Sequence, residues 1–382
     1  MRFPAGLSEA QLQAKRAVAL FASETLNNGF GERERAGCFS KPAWDTLAGY
    51  GLCGLMAPDR FGGREMTVWD TLAVLEGLGQ GCDDNGLMCA LHAHTWGCIT
   101  AISHFGSDAQ KEKFLPGLAA GKWIGASAMT EPNAGSNIYA LETTAEKDGD
   151  TYVLNGSKMF VTNAPVADIF IVYARTGPNT GFGGMSAFIV ERGAPGFQVE
   201  ANLSKMSLRT GPLSGLSLSD CRVPESHLLG RENSGAMVFA DSIEWERTFA
   251  MATALGTMER QLQECMAFIN IRKADRQEKG QRQYFGNKTA DMKIRLESAR
   301  LLIYQAAGKK QAGGTAYLEA TLAKVAASEA FAANCRDAVS IFSTGTMDQK
   351  ARADRNLRDA MASTLYSGAT AVLKDNISKL LD

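Results

Sequence analysis

The chain reads as mainly α with a central β domain, and three observations in its 382 residues predict this. Apolar residues recur at helical spacing to about residue 123, short β-branched runs between turn residues replace them over 124–235, and helical spacing returns over 236–382. A single core stops growing near ~250–300 residues, so separate packed domains are expected. The expectation is a helical domain at 1–123, a small β-barrel at 124–235 and a four-helix bundle at 236–382.

In the first zone, Ser8 and Gln11 have the spacing of a capping box ahead of an apolar pattern through Leu12, Ala17, Val18 and Phe21. Trp69 to Leu78 gives a second amphipathic helix, and Asn85 to His104 a more continuously apolar, buried one. A short helix follows from Asp108 to Leu118, with Gly121 as its stop signal. In the second zone, Thr151-Tyr152-Val153-Leu154 and Lys158–Thr162 flank Asn155-Gly156, which predicts a hairpin closed by a type I′ turn. Further strands are expected at Ile169–Ala174, Met185–Val190 and Leu216–Leu218. In the third zone, Met237 to Ile271 predicts one long helix, followed by helices at Lys288–Ala307, Leu318–Phe342 and Ala360–Leu381.

Composition excludes several function classes. Forty basic against forty-one acidic residues give a net charge of −1, so there is no basic excess to neutralise nucleic-acid phosphates. No apolar stretch approaches the ~18 residues of a membrane span, and Met1-Arg2-Phe3-Pro4-Ala5-Gly6 has no signal-peptide core, so a cytoplasmic protein is expected. The eight cysteines form no C-x-x-C pair, and His92-x-His94 lies in a helical context where the two rings diverge. No metal site is expected. Gly77-Leu78-Gly79-Gln80-Gly81-Cys82 lacks the third glycine and the preceding strand of a dinucleotide loop, and reads as helix-end glycines.

The segment Met129-Thr130-Glu131-Pro132-Asn133-Ala134-Gly135-Ser136-Asn137 packs hydroxyls, small residues and a proline at the entrance to the β zone. Such a loop presents N–H groups and hydroxyls to a polar ring or a phosphate. It resembles the T-E-P-x-A-G-S-D signature of the acyl-CoA dehydrogenase family, with Asn137 for the final Asp. Lys158-Met159-Phe160-Val161-Thr162-Asn163 resembles that family's K-x-W-I-T-N strand, with Phe160 for Trp. Arg209-Thr210-Gly211-Pro212 and Cys221-Arg222-Val223-Pro224 resemble its later β-domain landmarks, and the helical–β–helical order matches across nearly the whole chain.

The resemblance implies an FAD enzyme that oxidises the α,β-bond of an acyl thioester, a carboxylate taking the α-proton. It implies that Met129, Thr130 and Ser136 line the flavin and its pyrophosphate and that Phe160 and Thr162 flank the isoalloxazine ring. It implies further that Arg272 and Gln283 reach FAD across the subunit interface of a homotetramer. Two segments depart from the family. Its R-x-x-F-G reads here as Arg272-Lys273-Ala274-Asp275-Arg276, and its Q-x-x-G-G-x-G as Ser340–Thr346, which predicts a weakly held adenine half.

Most of the family carries its base in a C-terminal Y-E-G-T motif, where this chain has Tyr366-Ser367-Gly368-Ala369-Thr370, and serine is no base at neutral pH. A minority uses a glutamate in an E-R pair, here Glu246-Arg247. The local pattern supports Glu246 independently: Ile243 and Phe249 at ±3 and Ser242 and Ala250 at ±4 give it no cation on its own helix. Desolvation on that stripe raises a carboxyl toward the operating pH, as a general base requires. Arg247 is expected to pair with Glu244 and to orient the base or the substrate. Trp245–Thr248, Gly256–Leu262 and Arg295–Leu302 are similar to dehydrogenases of carrier-tethered prolyl groups in secondary metabolism. The substrate so implied is an acyl or aminoacyl thioester on the phosphopantetheine of a carrier protein or on CoA, with an electron-transfer partner or oxygen as acceptor. A redox-silent member that only binds a carrier protein is the rival outside enzymes.

Overall fold

The Ser8 hydroxyl accepts the Gln11 N–H while the Gln11 side chain accepts the Ser8 N–H, and this reciprocal cap opens α1 (Glu9–Thr25). The computed structural model describes residues 6–177, 182–273, 279–343 and 352–381. Short helices α2 (Phe30–Ala36) and α3 (Lys41–Gly49) lead to α4 (Val68–Gly81), capped by Thr67. The α4 glycines are contact residues rather than helix stops. A Cβ on Gly77 would lie 2.3 Å from the Lys15 carbonyl oxygen, and one on Gly79 1.8 Å from that of Thr253. They let α4 pack at backbone distance between α1 and the later helix that carries Thr253.

The apolar run beyond Asn85 forms α5 (Asn85–His94), a π turn over Thr95–Ile99, and α6 (Thr100–Phe105). After α7 (Asp108–Ala119), Gly121 turns the chain at φ +67°. The expected hairpin at Asn155-Gly156 does not form. One strand, β3 (Thr151–Thr162), runs straight through that pair, with a bulge beside Gly156. Asn155 has no positive φ, and its side chain bonds Asp220 across the ladder, so the turn geometry is never adopted. The true reversal is Gly149-Asp150, between β2 (Thr144–Asp148) and β3, with Gly149 at φ +63°.

With β1 (Gly125–Ala128), β4 (Ile169–Arg175), β5 (Met185–Glu191), β6 (Phe197–Val199), β7 (Leu213–Pro224) and β8 (Leu228–Leu229), these strands make one eight-stranded sheet. The order is β6-β7-β3-β2-β4-β5-β8, with β1 parallel to β4. Alternation on β4 divides the core. Phe170, Val172 and Ala174 belong to one cluster with Phe197, Leu216 and Leu218, while Ile169, Ile171 and Tyr173 belong to another with Ile99, Ile102, Ala236 and Val238.

The long helix expected from Met237 is two: α8 (Gly235–Phe249) and α9 (Ala252–Lys273), interrupted at Ala250-Met251 by a break that no Gly or Pro marks. Next come α10 (Lys279–Gln311) and α11 (Tyr317–Phe342). The expected last helix is also two, α12 (Arg352–Ser363) and α13 (Thr370–Lys379), separated by a turn through Ser367 at φ +54° and Gly368 at φ +102°. No helix among the described residues is long and apolar enough to cross a membrane.

Candidate active site

The α8–α9 break and the α12–α13 turn meet at one cavity of about 60 Å³. Its walls include Glu246 and Ala250 from α8 and its end, Thr253 from α9, Cys89 and His92 from α5, Thr162 from β3, and Tyr366 and Ser367 from the turn. The Ser367 hydroxyl donates to Glu246 Oε1. Positions 246 and 367 are therefore neighbours across the same space. Burial raises the Glu246 carboxyl above the ordinary glutamate range, while the Ser367 hydroxyl and the Arg247 and Lys324 charges pull it down.

Two cations hold the turn. Arg247 Nε donates to the Ser367 carbonyl at 3.1 Å, and Lys324 Nζ to the Gly368 carbonyl at 2.7 Å. The expected Arg247–Glu244 pair is absent: Glu244 instead accepts from Lys310 Nζ and the Ala316 N–H, each at 2.8 Å. On this helix the two side chains diverge, Glu244 toward α10 and Arg247 toward the turn before α13. Arg247 Nη1 is buried without a described partner.

His92 and His94 are structural. Trp96 Nε1–H, a donor only, bonds His92 Nδ1 at 3.0 Å, so the His92 proton sits on Nε2 and faces Thr253 Oγ1 at 3.1 Å. His94 Nδ1 accepts the Gly125 N–H, and Nε2 faces the Leu118 carbonyl. Burial lowers both rings to about 4 and keeps them neutral. No group of three metal-ligating side chains gathers among the described residues.

The loop singled out by sequence is tied to β3. Lys158 Nζ lies 2.7 Å from Glu131 Oε1 and 3.2 Å from the Met129 carbonyl, and the Met159 N–H reaches the Thr130 carbonyl at 2.8 Å. Burial pulls Lys158 down to about 8, opposed by the Glu131 charge. Met129 is buried, Thr130 and Thr162 are half-buried, and Ser136 is exposed. A second β3 bulge, between Lys158 and Val161, turns Phe160 outward at φ +54° and 58% exposed. The side-chain hydroxyls of Thr130, Ser136 and Thr162 have no hydrogen-bond partner among the described residues. An uncovered aromatic face beside open hydroxyls fits a flavin ring and its polar edge.

On the adenine side, the Arg272 side chain, Ala274–Arg276 and Thr344–Thr346 lie outside the described residues, and Gln283 is exposed on α10. The Arg-x-x-Phe-Gly spacing occurs ten residues further on, as Arg282-Gln283-Tyr284-Phe285-Gly286.

Thr162 of the flavin cradle lines the same cavity as the half-buried Glu246. This chain belongs to the acyl-CoA dehydrogenase family. The models of that family's N-terminal, middle and C-terminal domains match residues 8–122, 126–221 and 233–381. It is 36% identical over 375 residues to an L-prolyl-[peptidyl-carrier protein] dehydrogenase of Serratia sp. (strain ATCC 39006), covering 98% of this chain and 97% of that protein. The crystal structure of the prolyl acyl carrier protein oxidase AnaB superposes with a TM-score of 0.95 at 38% identity, covering 98% of this chain and 100% of that one. PigA with FAD and proline gives 0.94 at 35%, covering 99% of each. The protein is an FAD-dependent dehydrogenase.

Proposed function

We propose that this protein oxidises the α,β-bond of a small acyl or aminoacyl thioester, prolyl included, tethered to a carrier protein, with Glu246 as the base that takes the α-proton. One observation carries the reading: Glu246 and Ser367 touch across a small cavity whose facing wall includes Thr162. Position 367 supplies no carboxylate, and Glu246 is the glutamate that lines the space. FAD, when bound, supplies the acceptor for the β-hydride. The chain's own residues do the rest. Burial makes Glu246 a stronger base than an exposed glutamate, and the Ser367 hydroxyl aims its carboxylate. Arg247 and Lys324 fix Ser367 in turn by holding the carbonyls of its turn.

The carrier-bound substrate, and a short acyl group such as prolyl, are supported by the names of the relatives. Assembly as a homotetramer in the cytoplasm belongs to the same reading. Ile294 and Leu301, exposed seven residues apart on one face of α10, support an assembled form. The test is anaerobic flavin bleaching of the FAD-loaded protein by matched thioesters. Prolyl on a carrier protein is expected to bleach faster than the same group on CoA. Equal rates would return free CoA thioesters to the lead, and no bleaching by either would point to the redox-silent reading.

A further inference from the structure

The cavity beside Glu246 holds a second carboxylate that proton abstraction leaves unused. Asp359, on α12, is 8% exposed and lines the space together with Asn85, Cys89 and Tyr366. Its oxygens accept from two neutral donors, the Leu208 N–H at 2.6 Å and Asn85 Nδ2 at 3.0 Å. It makes no ion pair with a described residue, and neighbouring Arg358 turns its guanidinium to Glu34 and the Met206 carbonyl. A carboxylate offers about four acceptor sites, so half of its capacity is open. Burial pushes Asp359 up to about 6, against the pull of its Leu208 and Asn85 donors and of Arg358, so the group is mostly charged at neutral pH. A buried carboxylate without a cation, on the wall of a substrate cavity, is half of a charge pair.

The two carboxylates line one cavity, and Cys89 and Tyr366 lie on its wall with them. The cavity that holds both is about 60 Å³. A group bound there presents its α-hydrogen to Glu246 while something charged within a few bonds meets Asp359. In an aminoacyl thioester the α-hydrogen and the α-ammonium sit on the same carbon. We propose that Asp359, backed by Asn85, receives the protonated α-amine of the substrate and thereby selects aminoacyl over plain acyl thioesters. This rests on the reading of Glu246 as base. A plain acyl group would leave the Asp359 charge buried against methylenes, which penalises it. An ammonium held there also draws electron density from the α-carbon, which eases removal of the proton.

The test compares FAD-loaded wild-type and Asp359→Asn proteins on a carrier protein bearing either an L-prolyl or a cyclopentanecarbonyl thioester, a ring of the same size without the amine. The variant is expected to lose roughly 30-fold or more in kcat/KM on the prolyl substrate and to keep or gain activity on the carbocycle, which no longer meets a buried charge. Retained activity on the carbocycle also shows that the variant is folded. Equal losses on both substrates, or none on either, overturn the proposal. If wild-type protein oxidises neither thioester, the reading of the reaction fails, and binding still decides the amine assignment. Calorimetry with the unreactive prolyl and cyclopentanecarbonyl amides of aminopantetheine, in which nitrogen replaces the thiol sulfur, is expected to show a preference for the prolyl form that Asp359→Asn abolishes. Equal binding of the two amides overturns it.

Discussion

Lys158→Met is predicted to loosen the loop that carries Thr130 out of proportion to the volume changed. The Lys158 side chain is fully buried, 2.7 Å from a Glu131 carboxylate that is itself 2% exposed. Glu131 also accepts the Glu142 and Thr143 N–H groups and the Thr143 hydroxyl. Removing only the cation leaves a buried carboxylate on neutral donors, and breaking a buried pair from one side costs about 3–5 kcal/mol. Adding Glu131→Gln removes that charge. The glutamine oxygen can keep both Thr143 donors, but its amide then faces the Glu142 N–H, an unsatisfied donor that costs about 1–3 kcal/mol. The double variant is therefore expected to be more stable than Lys158→Met by about 2 kcal/mol, although it carries one more substitution. Urea unfolding read by tryptophan fluorescence gives the cycle, and FAD retained after gel filtration gives its effect on the cradle. A single variant within about 1 kcal/mol of wild type, or a double variant no more stable than the single, would refute the pair as the loop's anchor.

Three further outcomes are expected. Glu246→Ser should lower turnover by about 10²–10⁴, and adding Ser367→Glu should recover at least about tenfold, because the two positions face one cavity; no recovery would mean that they do not share a reacting carbon. His92 and His94 titrate at about 4 in the fold against an ordinary 6.5, so the unfolded chain binds more protons between those values. Their stabilisation is complete above about pH 6.5 and falls with acid by roughly 3 kcal/mol each at pH 4, and urea midpoints of His92→Gln should show a shallower acid slope than wild type. Gly79→Ala would set a Cβ 1.8 Å from the Thr253 carbonyl, so α4 and α9 must separate; a loss of about 1–3 kcal/mol is expected in urea unfolding, and a neutral result would contradict the backbone contact.

What sequence disclosed of this molecule was the local and the repetitive. The Ser8 cap, the β4 and β5 runs and the helical–β–helical order rest on spacing within a few residues, and each appears where spacing places it. Misreadings occurred where long-range contact overrides local preference. Asn155-Gly156 has the residues of a turn, but pairing with β7 keeps the strand extended. The glycines of α4 look like stops until α1 and the Thr253 carbonyl are seen against them. Glu244 and Arg247 have ion-pair spacing, yet each is claimed by a different neighbour. Glu246 is singled out in the sequence by its resemblance to the family's E-R pair, with its apolar neighbours in support, whereas its contact with Ser367 spans 121 residues and no pattern announces it. The place of Asp359 is equally silent in the sequence: α12 is strongly polar, and only the fold shows that this acid faces inward.

Glu246→Gln tests the central claim most directly. The amide keeps the size of the side chain and can still accept the Ser367 hydroxyl, so the cavity should remain while the base is lost. The visible spectrum should show FAD bound as in wild type, and an anaerobic carrier-tethered prolyl thioester should fail to bleach it. Bleaching at the wild-type rate would remove Glu246 from the reaction.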